Sequence, residues 1–170
     1  MVNSIYNEVE RLVRKYKTRN PIEIAESIGI TVLFRDFKEL KGFYAVENKS
    51  RYIVINNNLD EYLQNVICAH ELGHDRLHRH FASYSAMQDY MLYDMKARPE
   101  RDANIFASDL LISDTEVLLY ARMYGYTHDQ ISSMMCVPKE LMWFKTFSIM
   151  KRGYDIRTPD QIKSNFLSEI

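Results

Sequence analysis

Cysteine is scarce in this 170-residue chain: Cys68 and Cys136 stand in unrelated segments, with no Cys-x-x-Cys spacing. Two thiols so placed cannot staple a secreted domain of this size, so reduced cysteines in a cytoplasmic protein are expected. Long hydrophobic runs are missing as well. No apolar stretch approaches the ~18 residues of a membrane span, and the opening MVNSIYNEVERL lacks the basic start and apolar run of a secretory signal. Nor does charge of one sign dominate. A net charge of -1 gives no global field to gather nucleic acid or an anionic membrane, although a local basic patch stays compatible with it. With only five glycines and four prolines, and no repeat or low-complexity tract, collagen-like and linker-rich chains are excluded.

What is present is an ordinary globular composition, 46% hydrophobic and 26% charged, at the length of one compact domain. Helical spacing of Ile5, Val9, Leu12, Val13 and Tyr16 predicts a first helix over residues 3 to 17. Asn20 can cap a second, short helix that Pro21 opens and Gly29 ends. Three β-like runs follow, ITVLF from Ile30, GFYAV from Gly42 and YIVIN from Tyr52. From Asn58 the period turns helical again, with Asn58 and Glu61 in a capping-box pattern. The stripe Leu59, Tyr62, Leu63, Val66, Ile67 runs on into His70, Gly73, His74 and Leu77. Residues 79 to 97, irregular and rich in Tyr and Met, read as a mobile loop or a poorly signalled helix with no clear period. Pro99 starts a helix with Glu100, Ala103, Phe106, Ala107, Leu110 and Leu111 along one side. Ser113, Thr127 and Pro138 begin three more, Gly125 ending the first of them. The expected fold is α+β, mostly helical with a small three-stranded sheet. Residues 1 to 125 would form the main domain and 126 to 170 a C-terminal helical extension packed on it as one unit.

The chemistry is concentrated at His70-Glu71-Leu72-Gly73-His74, an H-E-x-x-H motif whose two histidines lie one helical turn apart and project the same way. Two imidazoles so placed can grip one zinc ion. Glu71, at the edge of that face, can act as general base on a water at the ion's open position and return the proton to a leaving amine. With five histidines in the chain, such a motif arises by chance in roughly one chain of this kind in a hundred. Its place on a capped helix, continuing a buried stripe, argues against two merely structural histidines.

A third ligand is needed, and several residues compete. His80 has metzincin spacing from His70, but Leu77 stands where the turn-making glycine belongs. On a straight helix His80 lies about 15 Å along the axis from His70, at ~1.5 Å per residue. His78 continues the series yet is also too distant, so packing or substrate contact suits it better. Glu100, at the start of the helix Pro99 opens, is the favoured candidate, with Asn104 one turn on as partner for a ligand imidazole. Asp102 is rotated about 200° from Glu100 at ~100° per residue and off the Ala103/Ala107 stripe.

Three segments resemble the ImmA/IrrE family of metallopeptidases of bacteria, phages and integrative elements. They are YIVIN with Asn57-Asn58-Leu59, CAHELGHDRLHR from Cys68 to Arg79, and ERDANIFASDLL from Glu100 to Leu111, together spanning roughly residues 20 to 125. The resemblance implies His70, His74 and Glu100 as zinc ligands, Glu71 as catalyst, a zincin-like active-site helix and an α+β fold. It further implies an endopeptidase whose protein substrate is a helix-turn-helix transcriptional repressor. The rival reading is a non-catalytic antirepressor or antitoxin-like interaction module that keeps the fold. Asp75 and Arg76 depart from the apolar residues usual after the motif, and Asp102 from a usual Glu or Gln.

The oxyanion-stabilising residue is not ranked by sequence, Tyr44, His78, Tyr84 and Tyr90 all being chemically able. GFYAV is a candidate edge strand for an extended substrate. The segment from Tyr126 to Gly153 has the outline of a helix-turn-helix. Its second helix, however, carries Leu141, Met142, Trp143 and Phe144 in a row and no base-reading side chains at its start. DNA is therefore not an expected partner, and core packing or repressor docking suits this segment better.

Overall fold

A computed structural model of the protein describes residues 1–82, 87–89 and 97–156, with side chains described outside 80–96. Helices α1 (Val2–Tyr16) and α2 (Pro21–Ser27) lead into strands β1 (Ile30–Arg35), β2 (Gly42–Glu47) and β3 (Ser50–Asn56). The long helix α3 (Glu61–Ala82) comes next, then strand β4 (Met87–Asp89). Four helices follow: α4 (Arg98–Leu111), α5 (Asp114–Met123), α6 (His128–Met134) and α7 (Lys139–Lys151). The mostly helical α+β fold is as expected. Two of the expected start signals are made as read: Asn20 Oδ1 accepts from the amides of Ile22 and Glu23, and Thr127 forms a full capping box with Gln130.

The sheet runs β1-β3-β2-β4, one strand wider than the sequence predicts. β1 lies parallel to β3, while β2 and β3 form a hairpin closed by Asn48 and Lys49, both at positive φ. The added strand falls in the stretch without a clear period, because three residues are too short to show alternation. β4 pairs with Gly42, Phe43 and Tyr44, so β2 is interior there and the substrate-edge role considered for GFYAV does not apply at those residues.

α3 begins later than read. Asp60, not Asn58, caps it, Oδ1 accepting from the Leu63 amide at 2.8 Å, while Asn58 donates its side-chain amide to Asp36. From Val66 to Asp75 every residue of α3 is buried, so this is a central helix and not one with a single apolar face. The sheet covers one side: a Cβ at Gly42 would collide with Ile67 and lie 2.8 Å from the Val54 carbonyl. α4 covers another side at equally close range. A Cβ at Gly73 would sit 3.1 Å from Ala103 Cα and 3.3 Å from Phe106 Cβ. Gly73→Ala is therefore expected to push α4 away from α3, costing about 1–3 kcal/mol of stability by overpacking and weakening metal retention. Denaturant unfolding and metal titration of the variant check both effects.

α7 closes the far side of α4 and of α1. Leu141, Met142 and Phe144 of the apolar row are buried in the common core. Between these helices lies a buried ionic network: Lys145 Nζ reaches Asp109 at 3.0 Å and Asp114 at 2.5 Å, and Ser148 donates to Asp109 at 2.7 Å. Arg152 pairs with Asp114 at the same end.

A candidate metal centre between two helices

The close approach at Gly73 sets the α3–α4 spacing, and two turns of α3 and the first turn of α4 meet across it. His70 and His74 on α3 point to the same side, their Nε2 atoms 3.0 Å apart. Glu100 on α4 faces them, its carboxylate oxygens 3.2 Å from His70 Nε2 and 3.5 Å from His74 Nε2. A tetrahedral ion with ligands at 2.0–2.1 Å has ligand–ligand edges of about 3.3 Å, the scale of all three separations. Two facing imidazole nitrogens repel unless a proton or a cation lies between them. Donor set and spacing thus fit a metal ion, with Glu100 contributing the carboxylate among the described residues.

The tautomer is fixed from outside the cluster. Asn104 Oδ1 lies 2.9 Å from His70 Nδ1, so that nitrogen donates and Nε2 keeps its lone pair directed at the centre. Asn104→Ala is expected to weaken metal binding by about 10- to 100-fold with the three ligands intact, measured by competition with a chelating dye. Glu71, on the turn between the histidines, is fully buried.

Electrostatics follow the same geometry. Burial raises the Glu100 carboxyl, but hydrogen bonds and attraction from His70 and His74 outweigh it and hold the group well below the usual carboxylate range. Burial lowers the pKa of His74 from its ordinary 6.5, against the opposing pull of a hydrogen bond that its ring donates to Glu100. Below pH 6.5 the unfolded chain therefore takes up a proton that folded His74 resists. Stability of the metal-free protein is expected to be flat above that pH and to fall below it, before the Glu100 effect begins under its ordinary 4.5. Thermal unfolding across pH 4 to 8 in chelator checks the window.

The other residues singled out in the sequence lie elsewhere. Asp102 is buried, 3.8 Å from His78 Nε2 and within 4 Å of Arg98 and Arg101, and it is not among the side chains whose ligand atoms gather at the cluster. His78 sits where α3 departs from helical geometry (φ -133°, ψ 21°), its ring 6.1 Å from that of His74. The His80 side chain, with Tyr84 and Tyr90, lies outside the described residues. Tyr44 is fully enclosed, and its hydroxyl donates to Asp75 Oδ1 at 2.7 Å. Burial and that hydrogen bond push its phenol well above the ordinary range. With its one proton committed to Asp75, the Tyr44 phenol braces α3 from β2.

Asp75 is what the sequence reading left without a role. It is 1% exposed and gathers Tyr44, Arg51 (3.1 and 3.2 Å) and Arg79 (3.1 Å), tying β2, β3 and the end of α3 together directly after His74. Arg51 also donates to the Ile28 carbonyl at the end of α2. The signal in the sequence was the charge itself, placed where an apolar residue is usual.

Two buried imidazoles and a partly buried carboxylate, gathered from two helices, form a donor set that could hold a metal ion. The chain belongs to the family of the IrrE N-terminal-like domain, a peptidase family whose sequence model matches residues 25–145. It is similar to immunity region protein 2 of Bacillus phage phi105, itself uncharacterized, at 40% identity over 84% of this chain and 89% of that protein. It is also similar to the metallopeptidase ImmA of Bacillus subtilis, at 28% identity over 85% of each. The family match runs past residue 125 through α6 into α7. Among the described residues, no helix is long and apolar enough to cross a membrane.

Proposed function

We propose that the protein is a zinc-dependent endopeptidase that hydrolyses a peptide bond in a cytosolic protein, the substrate being a helix-turn-helix transcriptional repressor. The observation that carries this reading is the convergence of two imidazole nitrogens and one carboxylate at tetrahedral edge lengths. Zinc suits a set of two imidazoles and one carboxylate that leaves a fourth position open. His70, His74 and Glu100 would hold the ion, which supplies Lewis acidity to a carbonyl oxygen and to a water molecule. Glu71 takes one proton from that water as its oxygen bonds to the carbonyl carbon. The same proton passes to the departing nitrogen as the C–N bond breaks, and Glu71 ends ionised as it began. Asn104 keeps the His70 Nδ1 proton in place throughout.

The repressor substrate is supported by the names of the relatives, one a phage immunity-region protein and one the metallopeptidase ImmA. Zinc-loaded protein incubated with a helix-turn-helix repressor encoded beside it should yield discrete fragments by mass spectrometry. A zinc chelator should stop their formation and added zinc restore it. Repressor that is inactivated while remaining uncut would overturn this reading in favour of an antirepressor acting by binding.

A further inference from the structure

Away from the metal cluster, a cavity of ≈ 410 Å³ opens between α1, the end of α2 and α3, lined by Arg11, Lys15, Tyr16, Ile28 and Arg76 among others. Its cations are held in place from behind. Glu8 accepts from Arg11 Nε and Nη2, both at 2.8 Å, and from Arg76 Nε at 2.8 Å. Asp75 lies 3.6 Å from Arg76 Nη1. A guanidinium carries five N–H groups, so Nη1 of Arg11 and Nη2 of Arg76 remain as donors with no partner among the described residues. Lys15 has no carboxylate partner there either; its ammonium rests 4.9 Å over the Tyr16 ring.

Three cations face one carboxylate, since Asp75 is matched separately by Arg51 and Arg79. The surplus of two positive charges equals the charge of a phosphomonoester near neutral pH, in a chain whose net charge is -1. Lys15 alone could be read as offsetting the carbonyl end of α1, but Arg76 comes from α3 and Arg11 from the turn before. Fixed guanidiniums with spare donors suit the oxygens of phosphate, and the partly exposed Tyr16 and Ile28 on the otherwise polar wall offer a small face against which an organic group can lie.

We propose that this cavity binds a small phosphomonoester of nucleoside-monophosphate size through Arg11, Lys15 and Arg76. The inference does not depend on the hydrolytic reading. It is tested by calorimetric titration of the zinc-loaded protein, in phosphate-free buffer, with inorganic phosphate, AMP and adenosine. Expected are saturable one-to-one binding of phosphate, tighter binding of AMP and none of adenosine. Lys15→Gln and Arg11→Gln, both at exposed positions that leave the zinc content unchanged, should each weaken binding about tenfold. Phosphate bound no more weakly than AMP would mark the free ion as the ligand and remove the organic part of the proposal. Absence of binding at millimolar ligand, binding undiminished in the double variant, or preference for duplex DNA over AMP would overturn it.

Discussion

Replacing Glu71 by Gln is expected to lower the rate of peptide hydrolysis by about 10²- to 10⁴-fold, the usual contribution of a positioned general base. The change keeps the side-chain volume of a residue that is 0% exposed, so packing around the helix is preserved. It also leaves His70, His74 and Glu100 untouched, so zinc stoichiometry should stay at one per chain. An amide cannot take the proton from the attacking water, and the loss should fall on kcat, with KM little changed. Steady-state kinetics together with metal analysis of the same sample separate the two quantities. Hydrolysis at the original rate in a Glu71→Gln protein of full metal content would place the base elsewhere and remove the mechanism.

The second large effect lies behind the site. Asp75→Ala is expected to destabilise the zinc-loaded protein by about 3–5 kcal/mol, because removing one partner of a buried ionic cluster strands the others. The Tyr44 hydroxyl is fully enclosed, and the Arg51 side chain, 20% exposed, would lose its carboxylate while still held near the Ile28 carbonyl. Arg79 is 46% exposed, so Arg79→Ala should cost under about 1 kcal/mol and serves as the control. Equilibrium unfolding in urea measures both. A loss at Asp75 no larger than that at Arg79 would show that the cluster is not what secures the end of α3 to the sheet.

The parts of this molecule written in local sequence were readable without coordinates. Asn20 before Pro21 and Thr127 before Gln130 state their helix starts in the chain itself, and the apolar spacing of α1 and α4 states their buried faces. The His70–His74 pair needs only the helical period to bring its nitrogens together. Glu100 was a harder inference, because its role depends on how closely two helices pack. The glycine and alanine that permit the approach, Gly73 and Ala103, say nothing of it until their helices are brought face to face.

Long-range pairings were illegible for the same reason. Whether β2 is an edge or an interior strand depends on three residues more than forty positions away. Asn58 and Asp60 are both fair capping residues, and only the contact with Asp36 diverts the first. Tyr44 looked available as a phenol on a strand, and its burial against Asp75 is a property of the assembled core. Asp109 and Lys145, charges within apolar helices, gave no hint that they were each other's partners.

The most direct measurement is anomalous diffraction at the zinc absorption edge from crystals of the zinc-loaded protein. Expected is one strong peak about 2.0–2.1 Å from His70 Nε2, His74 Nε2 and a Glu100 oxygen, with the fourth position held by no protein atom. A zinc peak held instead by His80 or Asp102, or none between α3 and α4 in protein saturated with zinc, would contradict the assignment and the hydrolysis derived from it.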